Sequence, residues 1–268
     1  MSDSTALKKI VRDKYARIAV DSETRGCCSP QGCGCSDDTA EYTVFADDYT
    51  GQPGYRQEAD LGLGCGLPTE FAGITEGDTV LDLGSGAGND VFVARSLTGE
   101  SGKVIGLDMT EEMIAKAERN KATLGFTNVE FRLGGIEAMP FEDRSVDVII
   151  SNCVLNLVPD MHTAFSEIYR VLKPGGHFCI SDVVVQGAWN AAVRESAELY
   201  AGCVSGALDQ AEYLGIIRNA GFTHVKIRKS KPIPLPDELL QPYLDDEGME
   251  AYKQNVHGIF SITVTGLK

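Results

Sequence analysis

The sequence predicts an α/β fold, a doubly wound and mostly parallel sheet of seven strands. Three observations carry this expectation. From residue 78 onward, strand-like apolar runs alternate with segments of helical period, the pattern that builds parallel sheets. A glycine-rich turn, "GSGAG" (84–88), joins the first such strand to the first such helix. Runs such as "SVDVIIS" (145–151) read as strands buried within the sheet.

The elements come in order. Residues 1–20 read as a helix, with Leu7, Ile10, Val11, Tyr15 and Ile18 recurring at helical spacing. The stretch "GCCSPQGCGCSDDT" (26–39) breaks that pattern with Gly, Pro and Ser, so 21–52 reads as a mobile linker or lid. A weakly helical piece and the glycine-rich loop "ADLGLGCGLPTEFAGI" lead into the domain proper. There "DTVLDLG" is strand, "GNDVFVARSLTG" helix, "GKVIGLD" strand and "TEEMIAKAERNKATLG" helix, the last starting near Thr110 and stopping at Gly125. "NVEFRLG" and "SVDVIIS" are strands, "MHTAFSEIYRVLKPGG" a helix ending at Pro-Gly, and "HFCISDVVV" the fifth strand. After an extra helical segment (188–206) come the helix "DQAEYLGIIRNAGF" and the strands "HVKIRKSKPIPL" and "GIFSITVTGLK". The organisation expected is a helical, Cys-rich extension over 1–60 and one domain over 61–268, with an insertion at about 187–207.

Composition narrows the function. Of 268 residues, 43% are hydrophobic and 24% charged, ordinary for a globular protein, but the net charge is −15. An acidic surface repels phosphate backbones, which argues against nucleic acid as a partner and suits a neutral or cationic small molecule. No signal-peptide h-region and no run of roughly 18 apolar residues is visible, so neither a secretory leader nor a membrane partner is expected. A cytoplasmic location is therefore expected, where thiols stay reduced. Eight cysteines in such a setting point to thiol chemistry or to binding of a soft ion.

The turn "VLDLGSGAGND" (80–90) spaces Asp82, Gly84, Gly86 and Gly88 at alternate positions, unlike the G-x-G-x-x-G of dinucleotide binders. Glycines there let the backbone approach a ligand closely. Asp108 closes the next strand, where a carboxylate can accept both hydroxyls of a ribose, and Met109 after it offers a flat apolar surface to an adenine or simply fills the core. With "EIYRVLKPGGHFCISD" and "NAGF" further on, these motifs in this order resemble the class I S-adenosylmethionine methyltransferases over about residues 61–268. That resemblance implies a Rossmann-like fold with a helical substrate cap and antiparallel final strands at about 223–235 and 259–268. It implies S-adenosyl-L-methionine as cofactor, with Asp82, Gly84, Ser85, Gly86, Gly88, Asp108, Met109 and Asn152 around it. The family's Gly-Asp-Ala-Glu after the third strand reads Gly134-Gly135-Ile136-Glu137 here, so adenine falls to Ile136, Glu137 or water.

Cys153 stands at the carboxyl end of the fourth strand, where open α/β sheets bind ligands. Cys65 lies in the loop entering the domain, and Cys203 in "YAGCVSGA" within the extra helical segment. A single buried cysteine is most often a small hydrophobe, and Cys179, in mid-strand, is read so. The other three fall where the cleft should be and sit beside Gly or Asn. Three thiolates in a pyramid suit trivalent arsenic, whose lone pair remains on the open side. "LGLGCGLP", "SNCVLNLVPD" and "AGCVSGA" are similar to the three cysteine motifs of arsenite methyltransferases, and "CCSPQGCGC" resembles the N-terminal patch of bacterial members. The resemblance implies arsenite and methylarsenite arriving as thiol adducts, As(III) at Cys65, Cys153 and Cys203, and a thiol reductant of the glutathione or thioredoxin type. The chain is expected to end at the methyltransferase strands, and a monomer is expected. For Cys27, Cys28, Cys33 and Cys35 three readings stay open: arsenic relay or redox, a structural zinc site, and a tail without catalytic role. Two rivals share the cofactor motifs: a methyltransferase for a quinone-like substrate, which Cys-to-Ser changes would spare, and an arsenic or metal buffer that does not turn over.

Overall fold

The computed structural model describes residues 2–24, 47–186, 206–233, 237–242, 244–254 and 258–268. Seven strands form one sheet: β1 (Thr79–Leu83), β2 (Lys103–Asp108), β3 (Val129–Leu133), β4 (Val146–Asn152), β5 (Leu172–Gln186), β6 (Thr223–Pro232) and β7 (Gly258–Leu267). Their spatial order is β3-β2-β1-β4-β5-β7-β6. The first five pair in parallel, whereas β7 runs antiparallel between β5 and β6. The order reverses between β1 and β4, and a crevice opens at the carboxyl ends of the strands on either side of such a switch.

Alternation along each central strand serves two cores. Leu81, Leu83, Ile105, Leu107 and Ile149 face one way and pack with Phe165 and Ile168 of helix α5 (Met161–Val171) and Tyr213 of α6 (Gln210–Asn219). Val80, Val104, Val148, Ile150 and Cys179 face the other. They meet Ala72, after α2 (Pro68–Phe71), Val91 and Phe92 of α3 (Asn89–Thr98), and Ala117 of α4 (Glu111–Leu124). Every residue of both sets is 8% exposed or less, so apolar burial on two faces holds the sheet.

One boundary differs from expectation. The helix predicted to run to Pro-Gly ends at Val171, and β5 begins at Leu172. Proline disfavours helical geometry in the residue before it, here Lys173, so the chain extends early. The pairing with β4 then slips: Leu172 lies opposite Val146 and His177 opposite Val148, leaving 173–176 as a bulge.

The N-terminal helix, α1 (Ser2–Thr24), spans the predicted segment and lies against α4. Part of the stretch read as linker is packed structure: Tyr49 is 4% exposed, although it precedes the expected domain start at 61. The cap at about 187–207 lies outside the described residues up to 205.

Candidate active site

The cavity sits over the carboxyl ends of β1, β2 and β4 and measures about 770 Å³. β1 stops at Leu83 because Gly84 turns the chain with φ +70, a conformation L side chains rarely adopt, and a Cβ there would run into Val154. The amides of Gly84 and Ser85 donate to the Leu107 carbonyl at 2.7 and 3.0 Å, tying the turn to β2. Gly88, with φ +98, caps α3.

Asp108 ends β2 and anchors the two turns beside it. Its Oδ2 accepts from the Gly86 amide at 2.9 Å and its Oδ1 from the Thr110 amide at 2.8 Å. Each oxygen retains acceptor capacity toward the cavity. Burial raises the Asp108 carboxyl, opposed by these amide bonds. Asp82 is raised well above its ordinary value, first by burial and then by Asp90 and Asp108. Asp60, Asp82, Asp90 and Asp108 thus line one cavity together with Lys8, Lys9 and Arg12.

Two polar atoms in its wall, Ser85 Oγ and Asn89 Oδ1, are buried and lack a hydrogen-bond partner among the described residues. Unsatisfied buried groups beside a glycine cradle fit a polar ligand such as S-adenosylmethionine. Met109, Ile136 and Glu137 line the same space. Glu137, expected as an adenine acceptor, is ion-paired with Lys8 of α1. That partner comes from the N-terminal helix, which also contributes Lys9, Arg12 and Tyr15 to the wall.

The sequence-predicted thiols divide three ways. Cys65 and Cys153 are 1% and 3% exposed and belong to one buried cluster with Val11, Leu157, Val183 and Ile259. Cys153 lines the cavity, and on the Cys65 side the lining residue is its chain neighbour Gly64 rather than Cys65 itself. Cys203 and the four N-terminal cysteines lie outside the described residues. Cys179 is wholly buried in mid-strand, where burial pushes its thiol up to about 12. Replacing Cys179 by alanine should leave kcat and KM within about twofold of native, and the thiol should resist alkylation until the protein unfolds, measured by mass-spectrometric labelling.

Cys153 has φ +60, unusual outside glycine and costing about 1–2 kcal/mol. The surroundings hold it there. Its amide donates to the Ser181 carbonyl at 2.8 Å, and the Asn156 amide donates to buried Asp182 at 3.0 Å, fixing the adjoining turn of residues 155–157. Asn152, expected beside the cofactor, lines the cavity and also holds the Cys65 loop. Its Oδ1 accepts from the amides of Cys65 and Gly66 at 3.0 and 3.3 Å, and its Nδ2 donates to the Gly66 carbonyl at 2.8 Å. The glycines flanking Cys65 permit this approach: a Cβ on Gly64 would strike the Asn152 amide, and one on Gly66 would strike Ser181. Sequence reasoning missed Tyr49, Asp90 and Asn89 as cavity residues; only Asp90 and Asn89, inside the quoted glycine motif, carried any local signal.

Among the described residues no group of three metal-ligating side chains is assembled, and no helix is long and apolar enough to cross a membrane. Comparison with known proteins bears on the family. A methyltransferase domain family matches residues 74–221. The arsenite methyltransferase of Halobacterium salinarum is 43% identical over 237 residues, covering 84% of this chain and 59% of that protein. That of Aquipseudomonas alcaligenes is 40% identical, covering 68% of this chain and 54% of that protein. This chain therefore spans between half and three-fifths of the length of these curated relatives. Among solved structures, an arsenic(III) S-adenosylmethionine methyltransferase from Chlamydomonas reinhardtii superimposes with a TM-score of 0.66 at 37% identity, covering 76% of this chain and 67% of that one. The sheet order, the glycine cradle closed by Asp108 and these similarities lead to one conclusion: the chain belongs to the S-adenosylmethionine-dependent methyltransferase domain family, in the group that contains the arsenite methyltransferases.

Proposed function

We propose that this protein transfers methyl groups from S-adenosylmethionine to trivalent arsenic held by the thiolates of Cys65, Cys153 and Cys203, converting arsenite to methylated arsenicals. One observation carries the reading. Cys65 and Cys153, from distant parts of the chain, share a buried cluster beside the cofactor cavity. A strained backbone at one and an amide clamp at the other hold them there. The described chain just after Cys203 in sequence supports it as well. It re-enters the described structure at 206, and Ala207, 2% exposed, packs into the same cluster.

The chemistry asks little more of the protein. Arsenite, carried as an adduct of glutathione or a similar thiol, exchanges its ligands for the cysteines. Bound in the cavity, S-adenosylmethionine supplies an electrophilic methyl group on a sulfonium. The arsenic lone pair attacks that methyl carbon; an As–C bond forms, the S–CH3 bond breaks, and its electron pair stays on the departing thioether. No base is needed, and none of the described histidines lines the cavity. Aligning nucleophile and methyl donor can remove roughly 7–11 kcal/mol of barrier. Gly84, Gly86 and Asp108 hold the donor's side, and the cysteine cluster holds the acceptor's. The transfer leaves a formally pentavalent methylarsonium still bound to three sulfurs. Attack of the thiol reductant on one cysteine sulfur returns the As–S electron pair to arsenic and releases that cysteine as a mixed disulfide, which a second thiol reduces. Each round thus replaces a sulfur ligand by carbon, and by the family resemblance the cysteine released after the first transfer is Cys65. A reductant of the glutathione or thioredoxin type keeps arsenic trivalent and the thiols free.

Because thiols lose their protons on ligating arsenic, turnover should rise with pH between about 6 and 9. A flat profile would contradict thiolate ligation. X-ray absorption on the arsenite-loaded protein should show three sulfur neighbours per arsenic, falling to two in Cys203→Ser. An oxygen-only shell in the native protein would end the proposal.

A further inference from the structure

Beyond the ligands themselves, we propose that Tyr49 and Asp90 are positioning residues for the arsenic site: they fix the orientation of the Asn152 amide and thereby the placement of Cys65 against Cys153. The inference rests on the reading of Cys65 as an arsenic ligand.

The Asn152 amide has two unlike ends, and the Cys65 loop needs a particular one. The loop offers two backbone donors, the amides of Cys65 and Gly66, and both fall on Oδ1. Rotating the amide by half a turn would set Nδ2, itself a donor, against those two donors. Two bonds would become two repulsions. The Gly66 carbonyl, which accepts from Nδ2 at 2.8 Å, already favours the observed orientation, and that orientation is locked by the other groups around Nδ2. Asp90 stands 3.2 Å from it, and a carboxylate only accepts, so Nδ2 must face it. The Tyr49 hydroxyl completes the selection. Its proton has acceptors in the two Asp90 oxygens, at 3.0 and 2.9 Å, and in the Gly66 carbonyl at 3.2 Å, and given to any of them it leaves the hydroxyl oxygen to Nδ2 as an acceptor.

Two members of the arrangement are withdrawn from bulk water, and Asn152 is half-buried at the cavity wall. Tyr49 is 4% and Asp90 7% exposed. Asp90 is rigidly placed, in the first turn of α3, the helix that opens from the cofactor turn. The other charges around it are Asp60 and Asp82, which act against its ionisation. Burial raises the Asp90 carboxyl to about 6 against the opposing hydrogen bonds from Asn152 and Tyr49. A single chain of hydrogen bonds therefore runs from the helix behind the methyl-donor loop, through Asp90, Tyr49 and Asn152, to the backbone of Cys65. Tyr49 comes from the segment ahead of the domain and its ring stacks on Tyr55 at 6.5 Å. A phenylalanine would keep that stacking.

The test is steady-state kinetics of Tyr49→Phe and Cys65→Ser beside the native protein, with arsenite and with methylarsenite as acceptors. Thermal melts at matched pH accompany the kinetics. Tyr49→Phe should raise KM for arsenite about tenfold, the loss expected for one buried, charge-linked hydrogen bond. KM for S-adenosylmethionine should stay within about twofold and methylarsenite turnover should be spared, a milder copy of Cys65→Ser. Equal losses with both acceptors, or a raised KM for the methyl donor, would show a cofactor or general structural role and overturn the inference. So would native kinetics in Tyr49→Phe while Cys65→Ser is impaired. If Cys65→Ser itself behaves as native, the ligand assignment falls and the positioning role falls with it.

Discussion

Serine at position 153 should abolish methylation of both arsenite and methylarsenite, a loss on the order of a hundredfold or more in kcat/KM. A hydroxyl is a hard donor that stays protonated at neutral pH, whereas arsenic(III) needs a soft anionic sulfur. The backbone adds to the specificity of the effect. Cys153 is held with φ +60 by the Ser181 carbonyl and by the turn that Asp182 fixes, and serine inherits that same framework. Binding of S-adenosylhomocysteine by calorimetry should therefore be unchanged within about twofold, separating loss of the acceptor site from loss of fold. Cys65→Ser should behave differently, losing arsenite turnover while keeping much of the activity on methylarsenite. Parallel losses in both variants on both acceptors would argue against a site that releases one sulfur after the first transfer.

Alanine at position 108 should give the second large effect, this time on the methyl donor. Removing the carboxylate leaves the amides of Gly86 and Thr110 without their acceptor, at a cost of about 1–3 kcal/mol for each buried group left unpaired. The turn that Gly84 and Ser85 begin would lose its far anchor, and the cavity its best-placed acceptor for vicinal hydroxyls. We expect KM for S-adenosylmethionine to rise by about a hundredfold with a lowered melting temperature. Asp108→Asn, which keeps one of the two acceptor oxygens, should fall between. Calorimetric titration with S-adenosylhomocysteine reads the binding loss directly, and native-like affinity in Asp108→Ala would remove Asp108 from the cofactor site.

How much of the molecule is legible in its sequence depends on how local each cause is. The strands, the glycine turn, Asp108 and the two cysteines now seen in one cluster all announce themselves within a few residues. "DLGSGAG" needs its glycines for the turn it makes, and Gly64 and Gly66 flank Cys65 because Asn152 and Ser181 press against them. The chain neighbours of Glu137 suggest a role at adenine, but its charge is answered by Lys8, from the far N-terminal helix. No local pattern encodes that pairing. Tyr49 is invisible in the sequence for the same reason. It sits among Asp, Gly and Pro residues that read as linker, and its partners Asp90 and Asn152 lie 41 and 103 residues away. The helix end at Val171 is legible in principle, since Pro174 constrains Lys173, but the apolar period of α5 runs on past it.

The measurement that bears most directly on this account is methyl transfer by the native protein, using S-adenosylmethionine labelled in its methyl group with arsenite and excess glutathione. A quinone-like acceptor is run in parallel. The account predicts labelled methylated arsenicals and no labelled quinone product. Label passing to the quinone-like acceptor alone, or arsenite bound tightly with no labelled product at all, would contradict it.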